Sequence, residues 1–261
     1  MNKIMKKLVT LLLSIGMLLS MAACSNSSDS KVSDESLDKL EEFIKNLSEV
    51  SSANYEAEME VTLDKENMKL SVYGGYIVET ENPLQFSLTM DMESEGSKLE
   101  KCIQLFVKDN VMYMNLLDWI KQKATLEKVM ENENISNFES SADEISMNKK
   151  VMKQYLKEAS LIGNTLKLSF DVDKVNKVVK KEAGKLNIKG STENVEKMDM
   201  EITLNNGFME KAVIFMDLTI TENGVTQEFS SVISFILKDI NNVDQLNFPD
   251  FSDYKETSNL V

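Results

Sequence analysis

The sequence predicts an α+β protein in which one curved antiparallel sheet, a half-barrel, carries helices on its concave face. Three observations predict it. Long segments alternate apolar and polar residues, as strands with one buried and one wet face do. Asn- and Gly-containing turns of hairpin length separate them, and several short stretches show a single apolar stripe at helical spacing. Wet-faced strands and one-striped helices are both satisfied when the helices lie on one side of the sheet.

The chain opens with Lys3, Lys6 and Lys7, an apolar run from Leu8 to Leu19, and then Met21-Ala22-Ala23-Cys24. That order reads as a signal peptide over residues 1–23 with a lipobox, because the run is shorter than the about 20 apolar residues a membrane span needs. Resemblance to bacterial lipoprotein signals implies that Cys24 is lipidated and anchors the chain to the extracytoplasmic face of the cell membrane. Loss of the three lysines with the leader takes the formal charge from −14 to −17. Such a surface repels nucleic acid and anionic headgroups. Cys102 is the one cysteine left after lipidation, so no internal disulfide is expected. The Arg-free, Lys/Asn-rich composition fits a Gram-positive envelope.

Residues 24–35 read as a flexible tether and 36–261 as one domain. Leu37, Leu40, Phe43, Ile44, Leu47 and Val50 form a helical stripe from about Ser36 to Val50, with Ser33 or Ser36 available as cap. Tyr55, Ala57, Met59, Val61 and Leu63 then alternate with charged or hydroxyl residues in a strand. Asp64 to Asn67 turn into a second strand carrying Met68, Leu70, Val72, Tyr76 and Val78, in which Gly74-Gly75 suggests a bulge or bend. Pro83 begins a third, with Phe86, Leu88, Met90 and Met92 inward, and a fourth after Gly96 carries Ile103, Leu105 and Val107. A two-residue turn at Asp109-Asn110 pairs Val107 with Met112 and Leu105 with Met114.

Trp119 to Met130 reads as a helix capped by Asp118, in which Trp119 anchors the helix or covers a cavity mouth. Glu131 to Ile145 is a polar loop, and Met147, Val151, Met152, Tyr155 and Ala159 suggest a helix capped by Ser146. A short strand, Leu166-Leu168-Phe170, precedes a helix capped by Asp171 or Asp173, striped by Val172, Val175, Val178, Val179 and Ala183 and ended by Gly184. The meander from Lys197 to Lys238 follows. Asn223-Gly224 as a type I′ turn sets Leu218 opposite Phe229, Ile214 opposite Ile233 and Ala212 opposite Phe235. A three-residue loop at Asn205-Asn206-Gly207 would set Met200 against Ala212 and Met198 against Ile214. Leu246-Asn247-Phe248-Pro249 closes the chain as an extended edge segment.

The lipobox, the helix before Asn54-Tyr55-Glu56-Ala57-Glu58-Met59, the segment Val107 to Met114 followed by Trp119 and Lys121, and the Leu-x-Leu-x-Phe strand before Asp173-Lys174-Val175 resemble the LolA/LppX-like lipoproteins, in particular their Firmicutes branch. The resemblance implies a half-barrel whose cavity carries acyl chains of lipids or lipoproteins, or serves a sensor of envelope stress. It brings no catalytic set.

Chemistry is bounded by what the chain lacks. Without His or Arg there is no imidazole base, no His metal ligand and no guanidinium clamp for phosphate. Ser146-Met147-Asn148-Lys149 has a Ser-x-x-Lys spacing but none of the accompanying motifs, and reads as a helix cap. No enzyme, cofactor or metal site is expected; thioethers alone suit Cu(I), but no His or second cysteine supports them. Cys102, out of phase with Ile103 and Leu105, reads as a small buried hydrophobe. The residues expected to face a lipid or other apolar ligand are Met59, Leu70, Met90, Met92, Met112, Met114, Met198, Met200 and Met216, since i, i+2 methionines share a sheet face and a flexible thioether adapts to varied apolar shapes. The alternative is a non-catalytic envelope interaction or sensory module with a closed core.

Overall fold

The computed structural model describes residues 31–63, 66–78, 84–131, 149–185, 191–222 and 225–257. The leader, Cys24, Pro83, the Asn223-Gly224 turn, most of the polar loop after Glu131, and Ser146 with Met147 lie outside them.

The chain builds β1 (Lys31–Val32), α1 (Asp34–Ser48), β2 (Ser52–Leu63), β3 (Glu66–Ile77), β4 (Gln85–Ser94), β5 (Ser97–Lys108), β6 (Val111–Leu116), β7 (Ile120–Thr125) and α2 (Leu126–Glu131). It continues with α3 (Lys149–Tyr155), β8 (Leu156–Ile162), β9 (Thr165–Phe170), α4 (Val172–Lys185), β10 (Ser191–Asn205), β11 (Phe208–Glu222), β12 (Val225–Lys238) and β13 (Lys255–Glu256). One 13-stranded sheet results, in the order β1-β8-β9-β10-β11-β12-β2-β3-β4-β5-β6-β7-β13. It is antiparallel throughout except for its two outermost pairs, β1 on β8 and β13 on β7. Each of those strands pairs with two residues of its neighbour, Glu158 and Ala159 on β8 and Gln122 and Lys123 on β7, and so shortens the open edge there.

The α+β class with helices against an antiparallel sheet is as expected. β1 begins inside the stretch expected as a tether. α1 starts two residues before Ser36, because the Ser33 hydroxyl accepts from the Ser36 amide at 3.1 Å and caps it. Leu37, Leu40 and Phe43 are buried on its inner stripe, each contributing roughly 1.5–3 kcal/mol by leaving water.

The hairpin registers follow the turns. Leu218 opposes Phe229, Ile214 opposes Ile233 and Ala212 opposes Phe235, as Asn223-Gly224 requires. Val107 opposes Met112 and Leu105 opposes Met114. At the β10–β11 turn the expectation was off by two residues: Met200 faces Ile214 and Met198 faces Met216. The loop is a two-residue turn at Asn206 and Gly207, both at positive φ. Glu210 is absorbed as a bulge between the Leu204–Met209 and Thr203–Lys211 pairs, which returns the apolar residues to one face.

Other local expectations also change. Gly74-Gly75 makes no bulge, for β3 keeps an unbroken register with both neighbours. Asp64 to Asn67 shortens to the two residues between the paired Leu63 and Glu66. The helix read from Trp119 is instead β7 followed by the one-and-a-half-turn α2, since Ile120, Gln122 and Ala124 alternate and find ladder partners on β6. Asp118 is a turn residue at φ 58°, not a cap. The helix through Ala159 ends at Tyr155, and Ala159 sits buried in β8 between β1 and β9. α4 runs to Lys185, past Gly184. The C-terminal tail is no edge segment along its length. It crosses the outer face, where Leu246 packs beside Gly75 and Phe248, Phe251 and Tyr254 gather on Phe106 and Tyr113. Its last pairing, on β7, is the only part at an edge among the described residues.

Candidate functional site

Register places all nine expected ligand-facing residues on one side of the sheet. Met198, Met200 and Met216 come from β10 and β11, Met59 and Leu70 face each other across β2 and β3, and Leu70 faces Met92. Met90 follows opposite Val72 and Ile103, and the row ends with Met114 and Met112 on β6.

Coverage divides this face. α1 packs against β8, β9, β11 and α3, and α4 packs against β10. Under them Met198, Met200 and Met216 are buried in one cluster with Leu37, Leu40 and Phe43 of α1 and Val175 and Val179 of α4. α4 is also locked by a polar contact. The Asn176 amide accepts from the Val195 N–H at 2.7 Å and donates to the Val195 carbonyl at 2.8 Å, pairing both backbone groups beside a bulge where the ladder cannot. Met59 and Leu70 belong to the same buried cluster.

From β3 to β6 the face is different. Val72, Leu88, Met90, Met92, Ile103, Leu105 and Met112 are only part-buried, although Met114 is buried. Among the described residues no helix packs broadly on β2 to β5, and α2 touches only the β6–β7 end. Val72, Met90 and Met92, with Tyr76, Phe86 and Phe235, pack against the margin of the buried cluster.

Its polar groups are few. Tyr55 lies flat between Phe86 and Phe235, with ring centroids 6.2 Å from each, and donates its hydroxyl to the Ser87 carbonyl at 2.8 Å. Burial raises the Tyr55 phenol well above the ordinary range, and desolvation likewise raises Tyr76. Ser231 is buried in the middle of β12, its hydroxyl 3.5 Å from the Met216 carbonyl. Sequence reasoning passed over Ile120 and Gln122, which extend the face onto β7 opposite Leu116 and Met114. Their alternation was visible, but lysines at 121 and 123 resemble a helix surface equally well.

Cys102 lies on the opposite side from Ile103, buried, with its Sγ 3.2 Å from the Met90 carbonyl; burial pushes the thiol up, so it is an inert side chain. Trp119 neither anchors a helix nor packs inside: it stands 87% exposed at the β6–β7 turn. Among the described residues no three His, Cys, Asp or Glu side chains are arranged to hold a metal ion, and no helix is long and apolar enough to cross a membrane.

A family model described as "Family of unknown function (DUF6612)" matches residues 33–251. No curated protein matches the sequence. Among solved structures the fold is similar to LprF from Mycobacterium bovis, at 11% identity, a TM-score of 0.40, and coverage of 83% of this chain and 98% of that one. It is similar also to the Mycobacterium tuberculosis lipoprotein LppX, at 10% identity and a TM-score of 0.39, covering 82% and 100%. A DUF1329 family protein from Desulfovibrio piger follows at 9% identity and a TM-score of 0.27, covering 81% and 93%.

Proposed function

We propose that this chain, which belongs to the DUF6612 family of unknown function, is an extracytoplasmic, lipid-anchored lipoprotein that binds a lipid or other apolar molecule on the concave face of its half-barrel. The observation that carries the reading is the part-buried apolar field from Val72 through Met90, Ile103 and Leu105 to Met112, on strands that the described helices leave to one side. Its methionines are the side chains best able to reshape around different acyl chains. The leader supports the address. Lys3, Lys6 and Lys7, the apolar run and Ala22-Ala23-Cys24 have the order that signal processing and lipidation read, and a diacyl anchor holds firmly because each buried methylene contributes about 0.8 kcal/mol.

Native mass spectrometry of tagless protein tests the ligand. Delipidated protein re-exposed to membrane extract takes up one apolar molecule per chain; no co-purifying lipid and no uptake would overturn the reading. Cys24→Ala tests the anchor: the protein is released from membranes or accumulates as uncleaved precursor, whereas a cleaved Cys24→Ala protein retained on membranes means another anchor.

A second reading, a non-catalytic interaction or sensory module whose core is closed, draws on the burial of Met59, Leu70 and Met114. Its mark is failure of an apolar fluorescent probe to saturate at one site per chain.

A further inference from the structure

We infer that the rim formed by the β6–β7 turn and the adjoining end of β5 is a lipid-bilayer contact surface, and that the chain leaves the opposite edge of the sheet for its membrane anchor at the same end of the strands. The inference rests on the lipid-anchored reading above and adds an orientation and a contact surface to it.

Three apolar side chains project there: Trp119 is 87% exposed, Leu99 51% and Leu117 38%. Single exposed apolar residues are ordinary. These three are brought together by the ladder. The Leu117 amide donates to the Cys102 carbonyl, so the turn lies beside the bulge at Lys101, and Leu99 lies just beyond it on the stretch of β5 that outruns β6. Leu117 and Asp118 both hold positive φ and the Trp119 amide returns to the Leu116 carbonyl, closing a tight turn that presents the indole outward. Indole is the side chain most suited to the headgroup boundary, with a large apolar ring and one N–H donor.

Strand direction fixes where the rest of the chain stands relative to this rim. β6 ends at it and β7 starts from it. Alternating through the antiparallel pairs, so does the start of β5, the end of β2, the start of β12 and the start of β8. β1 is parallel to β8, so Lys31 enters the sheet at this end of the strands, on the edge opposite β6 and β7. Seven residues lead from Cys24 to Lys31, and a chain of that length reaches at most about 25 Å. The anchor and the Trp119 turn therefore belong to one end of the molecule.

The flanking charges favour apolar insertion over attraction to anionic headgroups. Lys98 pairs with Glu100 at 2.9 Å and Lys121 with Asp253 at 2.8 Å, and the chain is strongly acidic. Leu99 also opposes Met92, so the apolar face of the sheet runs out to this rim, giving an acyl chain a continuous apolar route from the bilayer boundary toward Met90 and Ile103.

Trp119 is the sole tryptophan, so its fluorescence reports on this surface alone. The full chain, purified from the membranes of expressing cells and weighed for its acyl group, is reconstituted in phosphatidylcholine vesicles whose acyl chains carry bromine. A blue shift with loss of intensity is expected. Emission unchanged from that of a water-exposed indole, in a chain shown to carry the acyl group, overturns the surface. Quenching in a chain that carries none upholds the surface while removing the lipid anchor, and neither acylation nor quenching removes both.

Discussion

An alanine Cβ built on Gly74 would stand 1.9 Å from the carbonyl oxygen of Ser87, the same oxygen that accepts the Tyr55 hydroxyl at 2.8 Å. β3 thus carries no side chain at this point because the Tyr55 side chain crosses over it from β2 to reach β4.

Gly74→Ala is therefore expected to force β3 and β4 apart and cost about 1–3 kcal/mol or more in urea unfolding. Tyr55→Phe keeps the ring between Phe86 and Phe235 but leaves the Ser87 carbonyl without that donor, at about 1 kcal/mol. Equal losses for the two variants would show that the close approach is not the constraint.

Alkaline pH should unfold the protein partly through its tyrosines. Burial raises Tyr55, Tyr76, Tyr113 and Tyr254 above the ordinary value, with Asp109 adding to the rise at Tyr113 and Lys121 opposing it at Tyr254. A folded-state value above the unfolded one gives stability that is complete below about pH 10 and is lost as pH rises beyond it, because the unfolded chain releases those protons first. The urea midpoint is expected to fall from about pH 9 to about pH 11, and Tyr55→Phe to flatten that fall.

The tail over the outer face is expected to be structural. Phe251 stacks on Tyr113 at 3.8 Å between centroids and meets Phe106 edge-on at 5.6 Å. Phe251→Ala should cost about 2–4 kcal/mol and dim the near-ultraviolet circular dichroism of the aromatic cluster. An unchanged unfolding midpoint would mean that the tail rests on the sheet without holding it.

Met200 and Met90 should separate core from ligand-facing surface. Met200, under the helices, is expected to lose about 2–5 kcal/mol on truncation to Ala, as is Leu218 opposite Phe229. Met90→Ala, on the part-buried field, should lose less than about 2 kcal/mol and change the uptake of a fluorescent fatty acid. A Met90→Ala protein as unstable as Met200→Ala, with unaltered uptake, would place Met90 in a packed core.

The phase of the long strands and the registers across Asp109-Asn110 and Asn223-Gly224 can be read from the sequence alone, because side-chain alternation and turn chemistry are local and leave their trace within a few residues. Leu218 against Phe229 and Leu105 against Met114 were legible for that reason. What lies against each apolar row is set by packing between segments distant in the chain. Met198 and Met90 have the same period-2 pattern, yet Met198 is buried in the cluster with α4 and α1 while Met90 is part-buried at its margin. Nothing local distinguishes them, since burial depends on which distant segment packs there. The same holds for Ile120–Thr125 and Leu156–Ile162, short stretches that become strands because β6 and β9 offer them ladder partners, and for Phe251, whose place on Tyr113 is set by aromatic contacts across more than a hundred residues of chain.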